Sequence, residues 1–600
     1  MDGGSKYNRN ALIILAVLAA VLSVLVMRLV TVQVVDNRAY LRAASLNAAQ
    51  SMPLVAPRGI IYDRYGKVLV ANKAVFSVYV LQTHIKDRAQ LINMLSGLLS
   101  VSRDEIDSKL SEKRARPFDP ILIMSNVPKE VVSRIEEKKH LLDGVVVNIR
   151  PVRIYPNGRL GAHVLGYIGE VTSDDIERFP ALNLRRGDLI GKTGIERVYD
   201  AYLRGINGGE RLSISSYGRA SSEKGVQDPV PGKNIRLSLD LELQTEVEEA
   251  LKGNNGAVVV LDVTNGDILA MASHPGYDPN MFSSPISAQQ WKKMYSGSNP
   301  FMNRAINSYP PGSIFKTVSI SAALDKRLFK SSDKFFCPGY FKQGARIAKC
   351  WKTEGHGRLD LYEGLVQSCN VVFYQVGLKA GPDILAEFAA KFGLGQITGV
   401  DLPSESAGLV PSSSWKKKVF KENWYPGDSL NYAIGQGFLW VTPLQMTNLY
   451  ASIGNGSERF EPHLILDISD RDGADLFTYK PKVIGSVPGS KDNLKVIRSA
   501  LHDVVSRGTG IAAKVPSFEA AGKTGTAENP RKPAHAWFMC YAPFDDPKIA
   551  VGAFVEHGQH GNRVTAQIAH KVLDWYHKNR VAPAPASQEA QAGPVIELEM

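Results

Sequence analysis

Six hundred residues are too many for one ordinary core, so the chain is expected to fold as at least two domains. With 44% hydrophobic and 22% charged residues it is globular, which excludes a fibrous or wholly disordered chain. The net charge of +12 admits nucleic acid, an acidic polymer or an anionic membrane as partner, but no helix-turn-helix, zinc-finger or aromatic-basic signature accompanies it, so nucleic acid is set aside.

The first predicted element is a membrane helix. Residues 11–27 carry no charge, and Arg28 is followed by further apolar residues to Val35. A hydrocarbon core of ~30 Å needs ~20 apolar residues, and 11–30 supplies them if Arg28 snorkels to the interface. Lys6 and Arg9 precede the run, which places residues 1–10 in the cytoplasm and the bulk of the chain outside. A cleaved signal peptide would have an apolar region of only ~7–15 residues, and the candidate site at Ala19-Ala20 lies in mid-run, so an uncleaved single helix over 11–34 is expected.

Residues 35–240 have short mixed periodicities and are expected to form an α+β domain. Alternation over 76–81 predicts a strand. Residues 104–114 and 129–138 predict polar-faced helices. No catalytic cluster stands out here.

A second domain is expected over 241–580. Residues 256–262 read as a buried strand, and Thr264-Asn265-Gly266-Asp267 as a hairpin turn, because Asn-Gly accepts positive φ. Residues 268–272 return as the next strand, and 536–542 with 549–555 form another pair around Asp545-Asp546-Pro547. The region 310–460 reads as largely helical. Strands at both ends with helices between them predict an antiparallel sheet packed with a helical subdomain. Residues 581–600 are low-complexity and are expected to be a disordered tail.

Three motifs carry chemistry. Pro310-Pro311-Gly312-Ser313-Ile314-Phe315-Lys316 resembles a helix start, and 318–324 is small or apolar nearly all round, so that helix is expected to be buried. Ser313 then sits where backbone donors favour a developing anion, and Lys316 lies one turn on, on the same face. A lysine in such a site can lose its proton and serve as base. Alone, Ser-x-x-Lys is weak. It is joined by the Ser-x-Asn triplet Ser368-Cys369-Asn370 and by Lys523-Thr524-Gly525-Thr526, placed just before the 536–542 strand. The three together, in this order, are a known signature of penicillin-binding proteins and class A β-lactamases.

The chain accordingly resembles a monofunctional (class B) penicillin-binding protein, most closely the penicillin-binding protein 2 type of the rod elongation machinery. Further stretches carry the resemblance through the 35–240 region: 58–66, Arg153-Ile154-Tyr155-Pro156, and Gly194-Ile195-Glu196 with Tyr199-Asp200. Residues 351–358 and 424–428 are similar to the elongation type more than to the division type.

The resemblance implies a single membrane helix, a 35–240 pedestal and a β-lactamase-like transpeptidase domain, in the bacterial inner membrane with the catalytic part periplasmic. It implies that Ser313 attacks D-Ala–D-Ala and that a neighbouring stem peptide on lipid-linked glycan resolves the acyl-enzyme. Lys316 would be the base. Ser368 would relay a proton, and Asn370 would orient Lys316 and the substrate amide. Lys523 and Thr524 would hold the substrate carboxylate. The N–H groups of Ser313 and Thr526 would form the oxyanion hole. Gly525 would be needed because a side chain would crowd a ligand along the strand. β-Lactams would acylate the same serine. A SEDS-type glycosyltransferase (RodA) and the scaffold MreC are the implied partners, and no cofactor is implied for the chemistry. Arg58, Asp63, Arg64 and Glu196 are read as a structural polar network.

Cys337, Cys350, His356 and Cys369 are four soft ligands that could close a tetrahedral zinc site, with a 337–350 disulfide or free buried thiols as alternatives. If the Ser-x-Asn triplet is helical, Cys369 points behind the active site. The rival functions are a β-lactamase, a D,D-carboxypeptidase and a catalytically idle elongation scaffold. An anchor and a pedestal argue against the first two, and three complete motifs against the third.

Overall fold

The protein was analysed as a computed structural model, which describes residues 4–31, 50–111, 120–182, 184, 188–214, 220–223, 228–283, 292, 297–529, 532–559, 561 and 563–582. The tail expected over 581–600 lies almost wholly outside these. The chain forms two compact units, one of residues 1–57, 73–152 and 205–231, the other of 58–72, 153–204 and 232–600. The segment expected as one pedestal thus contributes to both.

In the first unit, an N-terminal helix spans Gly4–Val30, and its described side chains, from Leu15 onward, are exposed. Among the described residues no helix is long and apolar enough to cross a membrane. Residues 32–34 of the expected span lie outside the described residues. The strand predicted over 76–81 is the end of Val68–Val80, and it pairs antiparallel with Ile121–Val127. Helices Arg88–Leu99 and Arg103–Ser111 cover that ladder through Leu91, Leu95, Ile106 and Leu110, which pack on Val78, Val80 and Ile121. The second helix covers the described part of the predicted 104–114; residues 112–114 lie outside the described residues.

The second unit is built on a five-stranded antiparallel sheet of β1 (Gly256–Asp262), β2 (Ile268–His274), β3 (Ala521–Ala527), β4 (His535–Ala542) and β5 (Ile549–Val555), in the order β2-β1-β5-β4-β3. Its first and last strands in sequence lie side by side, with Gly256 opposite Val555 and Asp262 opposite Ile549. β1, β2, β4 and β5 read as largely apolar runs because both faces are covered. Ala257, Val259 and Leu261 enter one core with Leu444 and Met446 of helix Pro443–Gly454. Val258 and Val260 enter the other with Leu243 and Val247 of helix Leu241–Leu251 and Ile568 and Val572 of helix Val564–Tyr576.

The region 310–460 is less helical than predicted. It contains the expected helices, among them Lys316–Asp325 and Asn370–Lys391, but also two small ladders. Lys334–Cys337 pairs with Gly357–Asp360, and Tyr340–Gln343 with Arg346–Lys349. The second is a tight hairpin turning at Gly344, whose φ of 60° suits glycine. Strands of four residues are too short to announce themselves by periodicity.

The predicted polar network forms, in two parts. Glu196, fully buried, accepts from Arg153 at 2.6 Å and from Arg58 at 2.7 Å, and Arg58 also reaches Asp200 at 3.0 Å. Burial alone would push the Glu196 carboxyl up; Arg153 and Arg58 outweigh it and hold the group below its ordinary value. Asp63 instead closes a turn, accepting from the backbone N–H of Tyr65 and Lys67, and Arg64 pairs with Asp267 at 3.5 Å.

Candidate active site and a Cys/His cluster

The three motifs converge in the second unit. Ser313 lies in a 3₁₀ turn, Gly312–Phe315, that runs into helix Lys316–Asp325, whose residues from Lys316 to Leu324 are all buried, as the small-residue run predicts. The turn is clamped at both ends. The N–H of Gly312 donates to the Gly435 carbonyl at 2.8 Å, and the Tyr450 hydroxyl donates to the Ile314 carbonyl at 3.0 Å. Gly312 has φ 59°, and a Cβ there would lie 2.4 Å from the Thr526 carbonyl oxygen. The Ser313 turn therefore packs directly on β3.

Lys316 is fully buried and faces the second motif. Its Nζ donates to the Ser368 carbonyl and to Asn370 Oδ1, each at 2.7 Å, and lies 3.4 Å from Ser368 Oγ. Burial lowers its pKa to about 8. Two N–H bonds are spent on fixed acceptors, so a neutral amine has its lone pair free for a third direction.

The Ser-x-Asn triplet is not helical. Ser368 has φ 52°, Cys369 is extended and caps helix Asn370–Lys391, and the helix begins only at Asn370. The left-handed Ser368 turns its carbonyl to Lys316, a placement a continuous helix would forbid by bonding that carbonyl along its axis. The Cys369 thiol gathers with Cys337, Cys350 and His356.

The Lys-Thr-Gly motif lies within β3, just ahead of β4 as expected. Because β3 is the edge strand, one side of its backbone is left free of the ladder. Lys523 is fully buried and held well below the ordinary lysine value by burial and then by the charge of Lys316. Thr524 is buried and Thr526 exposed. A Cβ on Gly525 would meet Ile314 at 2.9 Å and the Pro311 carbonyl and Trp537 at 3.0 Å. The glycine thus admits the Pro311–Ile314 segment rather than a ligand, which corrects the expected reason for it.

Sequence reasoning missed two residues. The Thr509 hydroxyl meets that of Thr524 at 2.8 Å, and Gln436 Nε2 donates to the Thr526 carbonyl at 3.4 Å. Neither belongs to a motif, and only folding brings them to β3.

Cys337, Cys350, His356 and Cys369 form one cluster whose ligand atoms lie within 4.8 Å of one another. All four cysteines of the chain are free thiols, so the 337–350 disulfide is not formed. His356 Nδ1 faces Cys337 Sγ at 3.5 Å and Cys350 Sγ at 3.6 Å. Cys350 is drawn towards thiolate by its hydrogen bond with Cys369, whose own thiol is pushed up by the same bond. Three thiols and an imidazole converging at this distance, one already favouring the anion, fit a soft divalent ion. Cys540 is buried core in β4, away from the cluster.

Comparison with known proteins agrees with this geometry. Residues 256–574 match the family described as penicillin binding protein transpeptidase domain, and 53–237 match the penicillin-binding protein dimerisation domain. The chain is 31% identical to the peptidoglycan D,D-transpeptidase MrdA of Acinetobacter baumannii, over 94% of this chain and 87% of that one. It is similar to penicillin-binding protein PBP2 of Helicobacter pylori solved in complex with MreC, with TM-score 0.78, 29% identity, and 88% and 98% of the two chains covered. It is also similar to a chain from a structure described as the coordination of polymerization and crosslinking by a peptidoglycan synthase complex, with TM-score 0.70, 29% identity, and 97% and 100% covered.

Proposed function

The chain belongs to the class B penicillin-binding proteins of the PBP2 type, the serine peptidoglycan D,D-transpeptidases, and on that premise we propose that Ser313 is the residue acylated in cross-linking. Its hydroxyl attacks the D-Ala–D-Ala carbonyl of a stem peptide, the terminal D-alanine leaves, and an amine from a neighbouring stem takes the acyl group. Lys316 accepts the serine proton. Ser368 passes a proton to the leaving nitrogen, and Asn370 holds Lys316 and the substrate amide. Lys523 and Thr524 receive the substrate carboxylate, and Thr509 holds the Thr524 hydroxyl. The substrate backbone lies along the free edge of β3, and the N–H groups of Ser313 and Thr526 stabilise the oxyanion, each worth ~10²–10³ in rate.

The observation that carries this reading is the buried Lys316, bonded to two fixed acceptors of the second motif and lowered to about 8. It is tested by intact-mass spectrometry of the full chain in detergent with benzylpenicillin. A lasting adduct that disappears in Ser313→Ala is expected. An adduct gone within seconds would indicate a β-lactamase, and no adduct would sink the assignment.

The Cys/His cluster is read as a structural zinc site held by Cys337, Cys350, His356 and Cys369. Bound zinc would supply no chemical step; it would brace Cys369, and with it the Ser368 and Asn370 on either side. Elemental analysis of protein purified without chelator should find one zinc per chain.

The exposed apolar side chains of the first helix, with Lys6 and Arg9 ahead of them, support an inner-membrane anchor over 11–34 with the catalytic unit outside. The relative solved with MreC and the one from a synthase complex support docking of an MreC-type scaffold and of a glycan-polymerising, SEDS-type partner. Full-rate cross-linking of lipid-linked glycan by the purified chain alone would remove the dependence on a polymerase.

A further inference from the structure

We propose that Trp351 is a positioning residue of the acylation step, its indole N–H pinning the Ser368 carbonyl from which Lys316 hangs. The Nε1–H of Trp351 is shared between the carbonyls of Gln367 and Ser368, 3.1 Å from each. The Ser368 oxygen is the same atom that accepts from Lys316 Nζ at 2.7 Å. The indole also stands edge-on to His356, with ring centroids 5.3 Å apart and planes at 68°. One side chain therefore connects the Cys/His cluster to the lysine of the first motif through the backbone of the second.

Burial does not account for this placement. Trp351 is 55% exposed, yet its single N–H points inward. Ser368 holds a left-handed φ of 52°, a conformation that non-glycine residues rarely adopt. Such a peptide relaxes unless its polar groups are held. A carbonyl has two lone pairs; Lys316 takes one and Trp351 the other. Lys316 alone is a poor pin, because its amine must take up the serine proton and give it back. The indole donor does not titrate, so the carbonyl keeps its direction while the lysine cycles. Trp351 acts through Ser368 and Lys316, and the proposal rests on Ser313 being the acylated residue.

The test separates non-covalent binding from acylation, using saturation kinetics of benzylpenicillin on the full chain in detergent. Wild type is compared with Trp351→Phe and with a chain carrying β-(3-benzothienyl)alanine at 351, which keeps the bicyclic ring and loses only the N–H. Both altered chains should acylate about tenfold more slowly at saturation, the scale of one hydrogen bond. Their half-saturation concentration and Tm should stay at wild-type values. An unchanged acylation rate in the benzothienyl chain overturns the proposal. So does a raised half-saturation concentration at unchanged rate, which would make Trp351 a wall of the ligand site. A wild-type chain with no adduct on Ser313 overturns the nucleophile assignment as well, whereas normal wild-type acylation beside an unaffected variant overturns this proposal alone.

Discussion

Lys316 Nζ and Asn370 Oδ1 lie 2.7 Å apart, a bond between two motifs that are neighbours only in the fold. It holds an amine whose pKa burial lowers to about 8. A general base works in its neutral form, so acylation by benzylpenicillin should rise with pH, pass its inflection near 8 and level off above it. Asn370→Asp puts a carboxylate against the ammonium, favours the charged form and should move the inflection upward. Stopped-flow acylation from pH 6 to 10 checks both, and a flat profile in wild type removes Lys316 as the base.

Glu196 is fully buried between Arg153 and Arg58. Glu196→Ala leaves two guanidinium groups facing an emptied site, a loss of ~3–5 kcal/mol. Thermal unfolding should shift down by several degrees, while acylation measured well below the transition should persist. Loss of acylation at unchanged Tm would mean that Glu196 takes part in the reaction.

Gly312 has φ 59°, and a Cβ would come within 2.4 Å of the Thr526 oxygen. Gly312→Ala should separate the Ser313 turn from β3 and slow acylation at least tenfold, with a smaller effect on Tm. Equal rates for wild type and variant would show that the contact is not needed.

Thr509 holds the Thr524 hydroxyl at 2.8 Å. Thr509→Val keeps the shape and removes the bond, so substrates and β-lactams carrying the carboxylate should lose about tenfold in acylation efficiency. A carboxylate-free analogue should be unaffected by the substitution.

If zinc fills the Cys/His cluster, chelation should lower Tm and slow acylation together, and added zinc should restore both. Cys337→Ser should give the same pair of effects without chelator. A chain indifferent to chelator and to the substitution would have four free side chains there and no metal.

Much was legible along the chain. The apolar runs of β1, β2, β4 and β5, the Asn-Gly turn at 265–266, the small-residue helix after Lys316 and the three motifs all depend on residues close in sequence, where periodicity and turn chemistry act. The short strands around 334–360 were not legible, because four residues show no reliable period. The sequence leaves open whether the Ser-x-Asn triplet is helical, and local pattern had no means of placing Ser368 at positive φ. Its carbonyl accepts from Lys316 and from Trp351, partners that lie 52 and 17 residues away.

By itself the sequence determined which residue types were available for acyl transfer and for holding a soft ion, since motif chemistry is carried by the residues themselves. Only the tertiary structure decided that Gly525 makes room for Pro311 and Ile314, that Thr509 holds Thr524, and that Trp351 reaches the carbonyl bound by Lys316. Each is a contact between segments distant in the chain, set by the packing of β3 and two helix starts against one another, and no spacing rule along the chain records it.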